Sequence, residues 1–275
     1  MNTIKYLCWV TLVQFLWGCG NNSTEKYQLN ETFPVIRQGP NDMKFAFIPN
    51  GLFRMGAVDS GSADWEDENI HWVKLTKDYW MQTTEVTFGQ WHSVMGSYPD
   101  TKGCHGKNTL TIENDFPVVC VSWDDVKIFI DKLNYQKSNH FTYRLPTEAE
   151  WENAARAFHE SDYSIQSAHD SFIWSKQNSK GVSHRVGQLK PNLFGLYDTF
   201  GNVAEWTADW YKTYPVVDSS LNPIKNPNGP AKGVHKVIRG GSYLSHRINC
   251  IPHRRSRGFP NNKGSDTGFR LVRVE

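Results

Sequence analysis

Nothing in this chain is long and apolar enough to cross a bilayer comfortably. Its longest hydrophobic run, YLCWVTLVQFLWG from Tyr6 to Gly18, falls short of the roughly 20 apolar residues a spanning helix needs. An excess of one charge is also missing. The 30 Lys and Arg stand against 28 Asp and Glu, which gives no electrostatic reason for a nucleic-acid or acidic partner. Arg254, Arg255 and Arg257 gather in HRRSRG, but no wider basic stripe extends them, so no nucleic acid is expected. No internal repeat recurs, and cysteine is scarce. What remains, 39 % apolar and 21 % charged residues, is the composition of a globular protein with a sizeable core.

The N-terminus differs from the rest. Lys5 followed by the apolar run fits the n- and h-regions of a signal peptide. It ends in Leu16-Trp17-Gly18-Cys19, which resembles the bacterial lipobox, whose cysteine is acylated; Trp17 is larger than the residue usual there. Residues 1–19 are read as signal peptide, and 20–42 as a flexible tether poor in apolar residues. Residues 43–275 are read as one domain. This implies a bacterial periplasmic protein held to the membrane through lipid on Cys19, with Gly20 favouring the outer membrane. Cys8 would leave with the signal, so Cys104, Cys120 and Cys250 remain. Three thiols allow one disulfide. Pairing Cys104 with Cys120 closes a loop of about 15 residues, worth roughly 3 kcal/mol, in a compartment that permits it. Cys250 is then the free thiol.

Local patterns give an α+β domain. KFAFIPNGLFRMG reads as strand, turn, strand around Pro49-Asn50-Gly51. Thr87 and Gln90 have capping-box spacing and start a short helix. Ser122 caps a longer one, with Val126, Phe129, Ile130 and Leu133 on one face. Thr147 and Glu150 cap a third, whose buried stripe is Trp151, Ala154, Ala155 and Phe158. The C-terminal half has no long periodic segment, only short strands in KVIRGG and GFRLVRV. Eleven tryptophans suit a core with few regular elements, because large aromatics fill irregular space.

TEVTFGQW, PVVCVSWDDV, RLPTEAEWENAAR, NLFGLYDTFGNVAEW, RGGSY and GFRLV follow one another in this order. Together they resemble the sulfatase-modifying-factor family, which includes formylglycine-generating enzymes. The resemblance implies a single compact domain, a variant of the C-type-lectin-like fold with low regular secondary structure. It also implies a copper-dependent oxidoreductase that converts a client protein's cysteine to formylglycine. That chemistry needs two thiolates, since copper(I) prefers sulfur. In the motif RGGSYLSHRINC the second cysteine position falls on Cys250, but the first falls on Ser245, a hard oxygen. Ser242 matches the serine beside the family's metal, and His246 and Arg247 match positions lining its substrate groove. Ala204 stands where the family usually has tryptophan.

The same resemblance implies a structural calcium held by side-chain oxygens of Asp198 and Glu205 and carbonyls of Gly201 and Val203, an all-oxygen set suited to that ion. Two functions follow from these residues. One is formylglycine-type oxidation of a client through Cys250. The alternative is a catalytically silent lipoprotein that binds or assembles a client protein or peptide in the same groove. The EPN and QPD tripeptides of calcium-dependent sugar binding are absent.

Overall fold

Thr87, Ser122 and Thr147 each start a helix. In the computed structural model, which describes residues 34–57, 68–106, 110–136, 140–159, 170–215 and 220–274, helix α1 spans Phe88–Met95, α2 Trp123–Gln136 and α3 Glu148–Arg156. The signal and lipobox reading, with Cys8 and Cys19, lies outside the described residues. Thr87 Oγ1 accepts from Gln90 N at 3.2 Å, and Thr87 N donates to Gln90 Oε1 at 3.1 Å. Thr147 and Glu150 repeat the exchange at 3.1 and 2.8 Å. At Ser122 the reciprocal partner is Asp125. Each box satisfies amides that a helix start leaves unpaired.

The four apolar residues of α2 are buried as their spacing predicts. The stripe on α3 needs one correction. Trp151, Ala154 and Ala155 are buried, but the helix stops at Arg156 with Ala157 in the left-handed region. Phe158 therefore lies beyond it, 56 % exposed, with its ring on Phe194.

Strands β1 (Ile36–Gln38), β2 (Lys44–Ile48), β5 (Tyr79–Gln82), β6 (Thr142–Arg144) and β12 (Val272–Val274) form a five-stranded sheet in the order β1-β2-β5-β12-β6. Strands β3 (Gly51–Met55), β4 (His71–Leu75) and β8 (Ile224–Lys225) form a three-stranded sheet. The chain thus changes sheets at Pro49-Asn50. A third sheet has the order β10-β9-β7-β11, with β7 Ala204–Trp210, β9 Lys236–Arg239, β10 Arg255–Gly258 and β11 Thr267–Gly268.

The domain begins earlier than Met43. Strand β1 pairs antiparallel with β2, Ile36 opposite Ala46, inside the stretch expected to be tether. All three of its residues are exposed, so backbone pairing at a sheet edge holds it and no apolar alternation marks it in the sequence.

The largest core packs α1 and α2 against the sheets. Trp91 stacks on Phe129 at 5.2 Å, and Phe129 meets Phe269 edge-on at 5.3 Å. The start of α2 is fastened to the third sheet by Lys236, whose ammonium lies 3.9 Å from the ring centres of both Trp123 and Trp210 and donates to Ala208 O at 2.8 Å.

The start of α3 rests on Asp209, 4 % exposed, whose Oδ2 accepts from Glu148 N at 2.8 Å. Burial, and next the Glu148 carboxylate, push the Asp209 carboxyl up to about 7. An acid whose folded value is raised destabilises the fold as pH climbs from its unfolded value through the folded one, with the full cost above about pH 7. Asp209→Asn keeps an acceptor for Glu148 N. It is expected to stabilise the protein at pH 8 by up to about 4 kcal/mol and to give no gain near pH 4. Urea unfolding at the two pH values tests this, and an equal effect at both would refute it.

Candidate functional site

Strand β9 delivers Arg239 to a turn through Gly240 and Gly241, both at positive φ. At Gly241 a Cβ would sit 2.9 Å from Cys250 Sγ, so glycine is required there. Beyond the turn, Ser245 N donates to Ser242 O at 2.9 Å, and Ser242 N donates to Ser245 Oγ at 3.0 Å. A single 3₁₀ turn, Arg247–Asn249, then brings the chain to Cys250.

This segment walls a pocket of about 410 Å³. Ala204 and Ile238 lie among its lining, the hydroxyls of Ser242 and Ser245 and the amide of Asn249 enter from the turn, and Asp266 and Thr267 complete it together with Arg254 and Arg255. Ser242 Oγ donates to Asp266 Oδ2 at 2.9 Å, which fixes the rotor of that hydroxyl. Asp266, Thr267 and Asn249 did not stand out in the sequence. The usable signal was the position of Asp266 and Thr267 just before GFRLV.

Cys250 does not line this pocket. It is fully buried, packed with Trp151, Ala155, Ile173 and Phe200, and its thiol faces the carbonyls of Ser242 and His246 at 3.8 and 3.7 Å. Burial pushes the thiol up to about 12, far above the range of a reactive thiolate. The sulfurs of Cys104 and Cys120 are bonded to each other. His246 and Arg247 also lie outside the pocket lining. His246 Nδ1 is 3.0 Å from Gln177 Nε2, Arg247 N donates to Gln177 Oε1 at 3.1 Å, and the Arg247 guanidinium pairs with Asp170.

The acidic loop expected to hold calcium has its own geometry. Asp198 is buried with φ 56°; its Oδ2 accepts from Gly187 N at 2.6 Å, and its Oδ1 has no hydrogen-bond partner. Burial pushes its carboxyl up to about 6. A Cβ at Gly201 would fall 1.7 Å from Trp174 O, so the residue is glycine because the backbone of Trp174 passes there. Val203 is fully buried. Glu205 has both carboxylate oxygens engaged, by Arg270 at 2.7 Å each and by Trp151 Nε1 at 2.8 Å. Among the described residues, no group of three or more His, Cys, Asp and Glu converges as a metal cage.

Residues 32–275 match the sulfatase-modifying factor enzyme 1-like domain. The chain belongs to that family. It is 30 % identical over 222 residues to the formylglycine-generating enzyme of Mus musculus, covering 74 % of this chain and 53 % of the mouse protein. The chain thus spans about half the length of that relative. It is also 25 % identical over 273 residues to chaperone protein LppX of Paenibacillus barcinonensis, covering 81 % of this chain and 88 % of that protein. Among solved structures, Treponema denticola variable protein 1 superposes with a TM-score of 0.71 at 26 % identity, over 87 % of this chain and 99 % of that one. The mixed sheets and few helices are those of the sulfatase-modifying-factor fold.

For copper, the donors present do not fit the family's two-thiolate requirement. Cys250 is one neutral, sealed thiol, Ser245 supplies an oxygen already bonded to Ser242 N, and the two remaining described cysteines are in a disulfide. Two opposed soft ligands are what copper(I) selects, and the cluster around Cys250 offers one.

Proposed function

We propose that this chain is a binding or assembly protein of the sulfatase-modifying-factor family. In this reading it is exported, lipid-anchored through Cys19 in the bacterial periplasm, and recognises a client protein or peptide without oxidising it. The observation that carries the reading is the state of Cys250: no exposure, a thiol pushed up to about 12, and no second sulfur within its cluster.

The pocket supports recognition instead. Its hydroxyls, amide, carboxylate and guanidinium groups can meet the polar backbone of a peptide. Leu244 and Ile248, 49 % and 62 % exposed, flank the pocket-lining residues in sequence and offer apolar contact. Such a combination, a few placed polar groups beside apolar surface, is how binding sites gain orientation as well as affinity. The similarity to a relative named as a chaperone agrees with a non-oxidising role.

The test is a copper(I) titration of the purified protein against a competing thiolate chelator, followed by mass spectrometry of a Cys-x-Pro-x-Arg peptide kept with the protein in air. The expected result is no more copper retained than by Cys250→Ala, and an unaltered peptide. A peptide mass loss corresponding to the aldehyde, abolished in Cys250→Ala, would overturn the reading.

A further inference from the structure

Arg270, fully buried just ahead of β12, places its N–H groups on five oxygens. Nε donates to Glu205 Oε2 at 2.7 Å, and Nη2 donates to Glu205 Oε1 at 2.7 Å and to Tyr197 O at 2.9 Å. Nη1 reaches Gln82 O at 3.2 Å and Thr83 O at 3.4 Å. A guanidinium carries five such donors and no acceptor, so its capacity is filled. Two carboxylate and three carbonyl oxygens around one positive centre is the kind of sphere that a hard cation gathers.

We propose that Glu205 takes its counter-charge from Arg270 instead of from calcium, so that a guanidinium does in this chain the structural work the resemblance assigns to a metal. For a calcium ion to reach Glu205 Oε2 it would have to break a hydrogen bond from Arg270 or Trp151, and at the lone pair left on Oε1 it would settle beside a buried like charge. The bidentate geometry is the strong form of this pair. A third donor, Trp151 Nε1, already occupies another lone-pair direction on Oε2. The guanidinium also reaches what a loop-bound metal would leave apart: the end of β5 at Gln82, the backbone of Thr83 and Tyr197, and β7 at Glu205.

Terbium, which replaces calcium and emits when excited through a nearby tryptophan, tests this on the full chain. Trp151 touches Glu205 and is the reporter. The expected result is no terbium emission that Trp151→Phe removes, and no calorimetric calcium binding that depends on Glu205. Emission that survives both Trp151→Phe and Glu205→Gln arises elsewhere and leaves Glu205 with Arg270. Tryptophan-sensitised emission that is lost in Trp151→Phe and displaced by calcium would overturn the proposal. So would calcium binding abolished in Glu205→Gln. If Glu205→Gln fails to fold, the wild-type and Trp151→Phe emission still decides.

Discussion

Replacing Glu152 by alanine should lower the stability of the domain by about 3–5 kcal/mol, the cost of leaving buried charge without its partner. Glu152 is fully buried on α3. Its Oε1 accepts from Gly56 N at 2.9 Å and from Arg156 Nε at 2.8 Å, and its Oε2 takes the Arg239 guanidinium. Arg239 has no exposed side-chain surface and Arg156 has almost none. One carboxylate thus serves two buried cations. Glu148, 3.4 Å from Arg239, is itself committed to Arg255 at 2.6 and 2.9 Å and cannot replace it. Urea unfolding should show a shifted midpoint with an unchanged slope, and added salt should not restore stability because the ions are out of reach of counter-ions. A loss below about 1 kcal/mol, the range of exposed pairs, would show that the cluster relaxes into water.

Removing the Cys104–Cys120 disulfide should cost about 3 kcal/mol through the freedom returned to the unfolded chain. The bond links positions 16 apart in sequence. In a domain of this size that corresponds to a fall in Tm of roughly 6–12 °C. The bond also holds a structural junction: His105 N donates to Lys263 O at 3.0 Å, Cys120 N donates to Gly264 O at 2.9 Å, and Ser265 N donates to His105 O at 2.9 Å, just before Asp266 in the pocket. The double variant Cys104→Ala/Cys120→Ala, followed by calorimetry, should reproduce the effect of a reductant on the wild type. Equal melting of oxidised and reduced wild type would refute this.

The parts of this molecule legible in its sequence are those with local causes. A threonine three residues before Gln90 or Glu150 specifies a helix start on its own terms, and the i, i+3, i+4 stripe from Val126 to Leu133 specifies the face it buries. Strand β7 escaped notice because it is enclosed on both sides. Ala204 to Thr207 are all buried, so the alternation of a one-faced strand is absent, and Glu205 entered the sequence reading only as a calcium ligand. The site was legible only in part for a related reason. Ser242 and Ser245 do meet at the pocket, but the chain supplies Asp266 and Thr267 from more than twenty positions away. Cys250 could be read either as a reactive thiol or as a core residue until Trp151, Ile173 and Phe200 closed around it. No spacing rule reports which way a sulfur turns.

The turn that Ser245 closes on Ser242 has a consequence for installing a second thiol by mutation. Its hydroxyl is now a structural member, receiving an amide hydrogen that a thiol would accept poorly, while the sulfur five positions on faces the protein interior. Exchanging serine for cysteine would therefore place a new thiol at the pocket with no companion. Recovering a pair of metal-gripping sulfurs would take a second change that rotates Cys250 out from under Gly241, where no room exists for the backbone to gain even a methyl group.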